Sequence, residues 1–213
     1  MTLSHLSSYL THRTCILCAS LGLGCCNRCQ PFILYADIKR MVAHIDSRIV
    51  KELIECSMIP EAYRDHLENP EMRMVYYQWG GSWYRIQMRF SNGSCIALKH
   101  GLGCMLNRYR PLICVVWPFW WSEDSNPLGN DFEIEVIGEC TMAIRWMFTP
   151  ERIMFELDMD EAELKKYLRS MYIALREHES ILREAYSKGV EPSMLLEWLI
   201  TKAVSSYPME EYL

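Results

Sequence analysis

Residues 74–90, "MVYYQWGGSWYRIQMRF", change the hydropathy pattern of the chain from a helical period to strict alternation. From Ser82 onward the alternation puts Tyr84, Ile86, Met88 and Phe90 on one face and Arg85, Gln87 and Arg89 on the other, the signature of a half-buried strand. Gly80 and Gly81 separate this run from "MVYYQW". Paired glycines supply the positive φ angles of a tight two-residue turn, so the two runs are expected to fold back as a hairpin.

Helical patterns lie on both sides. "PFILYADIKRMVAHI" predicts a helix from near Leu34 with Ile38, Met41, Val42 and Ile45 on one face. A second helix follows, capped by Asp46 or Ser47, with Ile49, Val50, Leu53 and Ile54 as its apolar stripe and Pro60 beyond its end. A third strand is expected in "DFEIEVI", residues 131–137, where Phe132, Ile134 and Val136 alternate with Glu133 and Glu135. Residues 158–189 repeat apolar side chains at helical spacing through Leu164, Leu168, Met171, Leu175, Leu182 and Ala185, and Gly189 is placed to end that helix. His178 falls on the same face and reads as a satisfied interior histidine. A last helix starts at Pro192, a favoured first helical position, and "SSYPMEEYL" reads as a frayed tail.

The expected class is therefore α+β: cysteine-rich metal-binding loops beside a small antiparallel sheet, with a mostly helical C-terminal third. No stretch is rich enough in Pro, Gly or Ser to separate independent domains. Residues 1–150 are expected to form the cysteine-bearing part, and residues 151–213 to pack on it as helices of one compact unit.

Half of the 213 residues are hydrophobic, which excludes a disordered chain, and that length can bury a core without crosslinks. The longest apolar run, "ICVVWPFWW" at 113–121, is well short of the roughly 18–20 residues that span a bilayer. No basic-then-apolar leader opens the sequence, so a cytoplasmic protein without a membrane partner is expected. In a reducing compartment, ten cysteines point to metal ligation or catalysis before structural disulfides. Cys56 stands apart from the others and reads as a small buried hydrophobe.

The other nine fall in clusters. "CILCASLGLGCCNRC", residues 15–29, holds Cys15, Cys18, Cys25, Cys26 and Cys29; "CIALKHGLGCMLNRYRPLIC", residues 95–114, holds Cys95, Cys104 and Cys114; Cys140 follows in "GECTMA". Short C-x2-C spacings let one turn supply two soft ligands, while distant segments supply the rest. The adjacent thiolates of Cys25 and Cys26 cannot easily reach one tetrahedral ion together, and nine cysteines are compatible with one centre or with two. GLGC occurs twice, ending at Cys25 and at Cys104, and glycines there let the backbone turn so that amides can point at sulfur.

Charge is uneven: thirteen Lys and Arg against eight Asp and Glu up to residue 110, nine against nineteen beyond it. Arg28, Lys99, Arg108 and Arg110 are placed to offset thiolate charge. A nucleic-acid partner is not expected, because its footprint would need a denser basic patch.

The downstream cysteines carry a resemblance. "CMLNRYRPLICVVWP" is similar to the C-x-[IV]-Y-x-x-R-P-x-x-C-R-x-F-P pattern of the zinc- or iron-chelating cysteine-cluster proteins (the CxxCxxCC, or YkgJ-like, family). Cys104, Arg110, Pro111, Cys114 and Pro118 match, Leu106 and Trp117 are conservative replacements, and Asn107 and Val115 depart from the usual Tyr and Arg. Upstream, six residues separate Cys18 from Cys25 where the family has two, and Cys29 is additional. The resemblance covers about residues 15–140 and implies metal binding.

The leading expectation is an iron–sulfur protein, of [4Fe-4S] type, whose ligands come from the nine clustered cysteines; apolar residues around Cys114 would exclude solvent from such a cluster. A structural zinc site is the alternative. A cluster-dependent modifying enzyme of the flagellin lysine methylase type, whose cysteine motif is similar, is a further possibility; so is a metal carrier acting on a protein partner. No G-x-G-x-x-G, P-loop or C-x3-C-x2-C triplet is present, and His100 and Asp37 are the polar residues nearest the cysteines in sequence.

Overall fold

A computed structural model describes residues 13–59, 61–129, 132–137 and 140–206. The chain begins with α1 (Arg13–Ser20), passes a 3-10 turn at Cys25–Asn27, and continues through α2 (Tyr35–Val42), α3 (Ser47–Leu53), β1 (Ile54–Met58) and α4 (Pro70–Arg73). The hairpin β2 (Tyr76–Trp79) and β3 (Ser82–Met88) follows, then four two-residue strands, β4 (Phe90–Ser91), β5 (Ser94–Cys95), β6 (Leu98–Lys99) and β7 (Gly103–Cys104). After α5 (Leu112–Val116) come β8 (Phe119–Trp121), β9 (Ile134–Val136), α6 (Thr141–Ile144), α7 (Pro150–Glu156), α8 (Glu161–Ser187) and α9 (Pro192–Ser205). The fold is α+β, with small antiparallel sheets and a helical C-terminal third.

Contacts group these elements into two compact units that alternate along the chain: residues 1–30 with 90–172, and residues 31–89 with 173–213. The first, the cysteine unit, contains α1 and everything from β4 to the first part of α8. The second, the sheet unit, contains α2 to β3, the rest of α8, and α9.

In the sheet unit β3 is central, with β1 and β2 antiparallel on either side. Gly80 and Gly81 take φ of 56° and 81°, the left-handed turn that the hairpin requires. Residues Pro31–Ile33 continue the line of β2 along β3: the Ile33 and Met88 amides donate to the Ile86 and Pro31 carbonyls at 2.8 and 2.9 Å. Asp46 caps α3 by accepting from the Arg48 amide at 2.8 Å. Helix α9 packs its buried residues Leu195, Leu199, Ile200 and Ala203 against α2, α3 and β1. Each fully buried aliphatic side chain there contributes roughly 1.5–3 kcal/mol. Gly189, φ 68°, ends α8, and Pro192 occupies the first turn of α9.

Three expectations are corrected. The third strand of this sheet is β1, not 131–137; the latter contributes β9, which pairs with β8 as a separate ladder in the cysteine unit. The apolar pattern from Ile49 to Ile54 reads as one helix but divides at Leu53, so Val50 and Ile54 are buried while Ile49 is exposed. Strand β3 is covered on both faces. Arg85 and Gln87 are buried because they satisfy each other at 2.7 Å, Gln87 reaches Glu55 at 3.1 Å, and the Arg85 guanidinium lies 4.8 Å over the Tyr63 ring. The expected tail falls partly on residues 207–213, outside the described residues.

His178 is wholly buried in the sheet unit, where its Nδ1 accepts from the Tyr35 amide at 2.9 Å. Its Nε2, also buried, has no hydrogen-bond partner among the described residues. Burial lowers its pKa to about 4, so the ring is neutral at ordinary pH. Asp37 accepts from the Leu34 amide at 3.0 Å and pairs with Arg40 at 2.6 Å, which makes it a helix-start residue of α2. Among the described residues no helix is long and apolar enough to cross a membrane.

Candidate metal centre

Six short elements of the cysteine unit bring the thiols together. Helix α1 presents Cys15 and Cys18 one turn apart, the spacing that puts two side chains on one face. The chain then reverses through Gly22, φ 69°, and Gly24, where an added Cβ would stand 3.0 Å from Ala19 Cα. Close approach to α1 thus requires glycine at 24, and it delivers Cys25 and Cys26 on the 3-10 turn, with Cys29 just beyond. The second GLGC tetrapeptide turns through Gly101 and Gly103, φ 75° and 85°, and ends in β7 at Cys104. Cys95 ends β5, Cys114 lies inside α5, and Cys140 is the residue before α6. The Thr141 hydroxyl donates to the Leu23 carbonyl at 2.6 Å, tying the start of α6 to the first glycine turn.

These segments enclose a cavity of about 60 Å3 lined by Cys15, Cys18, Cys25, Cys26, Cys29, Cys104 and Cys140, with Leu98, Trp117 and Met142 among its apolar walls. That is room for one or two water-sized groups. Cys95 and Cys114 are not part of the lining, yet both feel the charge of Cys26. Cys56 belongs to the sheet unit, on β1 opposite Ile86, and burial pushes its thiol up to about 12. The structure thus brings all nine clustered cysteines together in the cysteine unit, of which Cys56 is not a part.

Two backbone features point at sulfur. The backbone amides of Ala97 and Leu98 favour charge on Cys95, and those of Leu106 and Asn107 favour it on Cys104. In both cases these amides stand two and three residues after the cysteine along the chain, and their dipoles favour a thiolate. Asn107 adopts φ 48°, a left-handed conformation that asparagine tolerates better than most residues.

Electrostatics oppose charge in the absence of a cation. Burial pushes Cys15 and Cys95 up to about 12, and raises Cys18, Cys104 and Cys114. Cys26 is the exception, lowered to about 7 because the Cys25 thiol donates to it and Arg110 lies nearby; the same hydrogen bond raises Cys25. Arg110, 6% exposed, also acts on Cys15, Cys104 and Cys114, and Arg28 acts on Cys18. Of the four basic residues expected to offset thiolate charge, Lys99 is exposed and the Arg108 guanidinium lies 4.9 Å over the Tyr109 ring. His100 is exposed on the loop before Cys104.

Among the described residues, no three His, Cys, Asp or Glu side chains stand in an arrangement that would hold a metal ion as they are. The donor chemistry suits a thiophilic metal, since sulfur is abundant around the cavity and, among the described residues, no carboxylate lines it. The side chains would have to draw inward around an ion. Thr141 and Met142 are site neighbours that no motif signalled, because only the folding of α6 against the first cysteine segment places them there, whereas Trp117 stands in the downstream motif. The chain matches no protein-family model, no curated protein and no solved structure.

Proposed function

We propose that the cysteine unit binds a thiolate-ligated metal centre, with an iron–sulfur cluster of [4Fe-4S] type as its preferred occupant and zinc as the alternative. The observation that carries this reading is the small cavity lined by seven cysteines, with the backbone amides that follow Cys95 and Cys104 favouring charge on those sulfurs. Amides aimed at sulfur stabilise a charged thiolate, and burial without a cation disfavours that charge; a bound metal resolves the opposition. Cys15, Cys18, Cys25, Cys26, Cys29, Cys95, Cys104, Cys114 and Cys140 are the candidate ligands. Iron–sulfur is preferred because the surroundings of Cys114 are dry, with Ile113, Val115, Val116, Phe119 and Trp121 all buried. Such a centre supplies electron transfer or a rigid crosslink of the loops.

Protein purified without oxygen should absorb at about 400 nm and contain iron and sulfide in equal amounts. A colourless protein carrying only zinc would leave the metal site standing and remove the cluster. Protein with no bound metal, and no uptake of iron or zinc after reduction, would sink the whole reading.

One observation favours a second role, handing the metal to a protein partner. Cys25 is exposed, and exposed apolar side chains border the cysteine segments: Leu17, Leu102, Met105, Ile144 and Met147. Release to a chelator within minutes would support a carrier, and retention over a day would exclude one.

A further inference from the structure

The thiols of the cysteine unit fall into two groups, each pinned by its own backbone ties. Cys15 and Cys18 stand one turn apart on α1. The Leu23 amide donates to the Cys18 carbonyl at 3.0 Å, and the Leu23 carbonyl accepts from the Thr141 hydroxyl at 2.6 Å, so a single residue ties Cys18 to the neighbour of Cys140. The charge of Cys140 accordingly reaches both Cys15 and Cys18. A second tie holds Cys95 and Cys104 together. Cys104 pairs with Leu98 in the β6–β7 ladder, three residues after Cys95, and the Met105 amide donates to the Ala97 carbonyl at 2.8 Å. Cys114, on α5, feels the charge of both Cys95 and Cys104.

The 3-10 turn that carries Cys25 and Cys26 touches both α1 and β5, and so meets an element of each group. The charge of Cys26 acts on Cys15 and Cys18 in the first group and on Cys95, Cys104 and Cys114 in the second. A tetrahedral ion or a four-iron cluster takes four sulfurs, and adjacent residues cannot easily give two sulfurs to one ion. Seven cysteines around a cavity of about 60 Å3 exceed what one ion can use, while Cys95 and Cys114 stand outside its lining. Three thiols in each group, with one from each member of the adjacent pair, make two sets of four. Cys104 also lines the cavity, so the two sets adjoin. Arg110 acts on Cys15 in one group and on Cys104 and Cys114 in the other, which places a positive charge within reach of both.

We propose that the cysteine unit holds two adjoining thiolate metal centres: Cys15, Cys18 and Cys140 serve the first, Cys95, Cys104 and Cys114 serve the second, and Cys25 and Cys26 complete them with one thiolate each. Cys29, the ninth clustered cysteine, ligates neither. This division rests on the metal reading above and adds to it the number of centres and the allotment of their ligands.

The test is native mass spectrometry of the full chain purified without oxygen, with zinc, iron and sulfide counted on the same sample. Two centres per chain are expected, whether zinc ions, [4Fe-4S] clusters or one of each. Cys18→Ala with Cys140→Ala should lower the count from two to one, Cys95→Ala with Cys114→Ala should do the same, and Cys29→Ala should leave it at two. One centre in the parent, two in either paired variant, or fewer than two in Cys29→Ala would overturn the division and leave the metal reading standing. Loss of both centres from a paired variant that keeps the parent's circular dichroism would overturn it as well. A parent that carries no metal, even after incubation with iron or zinc under reduction, would sink the division together with the metal reading. The parent's count needs no substitution, so it decides alone if a variant fails to fold.

Discussion

The two units are built on different physical principles. In the sheet unit, elements are long enough to bury a continuous face: β3 is flanked on both sides, α9 lays Leu195, Leu199, Ile200 and Ala203 on α2, α3 and β1, and the polar side chains that go inside, Arg85, Gln87, Asp37 and His178, each make hydrogen bonds there. In the cysteine unit β4 to β7 have two residues each, and α5 and α6 five and four. Ladders that short bury little apolar surface. Turns at Gly22, Gly101 and Gly103 direct the chain there, and thiols line a small cavity, while the apolar packing of that unit comes from later segments, where Phe119, Ile153, Leu164, Leu168 and Met171 are wholly buried. The short cysteine-bearing segments are therefore the part of the chain where a bound metal would add most stability.

The largest effect that can break this comparison is metal removal. Zinc sites in small domains are worth about 10–16 kcal/mol, so a strong chelator should collapse amide protection in α1, β6 and β7 while leaving β3 and α9 protected in hydrogen exchange. Equal loss in both halves would mean that the cysteine unit does not carry its own metal-dependent stability.

Next is a cavity in the sheet unit. Leu199→Ala removes a fully buried side chain and should cost about 2–5 kcal/mol in urea melts, with little change in cysteine-unit exchange.

A third effect is on pH. His178 titrates at about 4 in the folded chain against 6.5 ordinarily, so between those values the unfolded chain binds a proton that the folded chain refuses. Stability therefore falls on acidification from pH 6.5 toward 4, by about 1.4 kcal/mol per pH unit and roughly 3 kcal/mol in all, and this contribution is flat above 6.5. Urea melts of His178→Gln at pH 4.5 and 7 should lack that difference.

The smallest effect is a cap. The Asn69 side chain accepts from the Met72 amide at 2.9 Å, and Asn69→Ala should cost about 1 kcal/mol, confined to the sheet unit.

Periodic segments are legible in the sequence alone. Helices α2, α8 and α9, the β2–β3 hairpin and the stop at Gly189 follow from apolar spacing, a proline at a helix start and paired glycines, all of which act within a few residues. Strand β1 is not, since Ile54 completes a helical stripe as well as it begins a strand, and only pairing with β3 decides between them. The polar face of β3 misleads for the same reason: Arg85 and Gln87 look solvent-facing until Tyr63 and Glu55, distant in sequence, cover them.

The sequence by itself determined that nine cysteines cluster, that Cys56 does not belong with them, and that glycines precede Cys25 and Cys104. These are matters of residue type and short spacing. Tertiary structure alone decided that α1, the 3-10 turn, β7 and the start of α6 share one small cavity, that Arg110 is the basic residue acting on the most thiols, and that the amides aimed at Cys104 follow it along the chain. Convergence of segments more than a hundred residues apart depends on how each backbone turn is packed, and no local pattern encodes that.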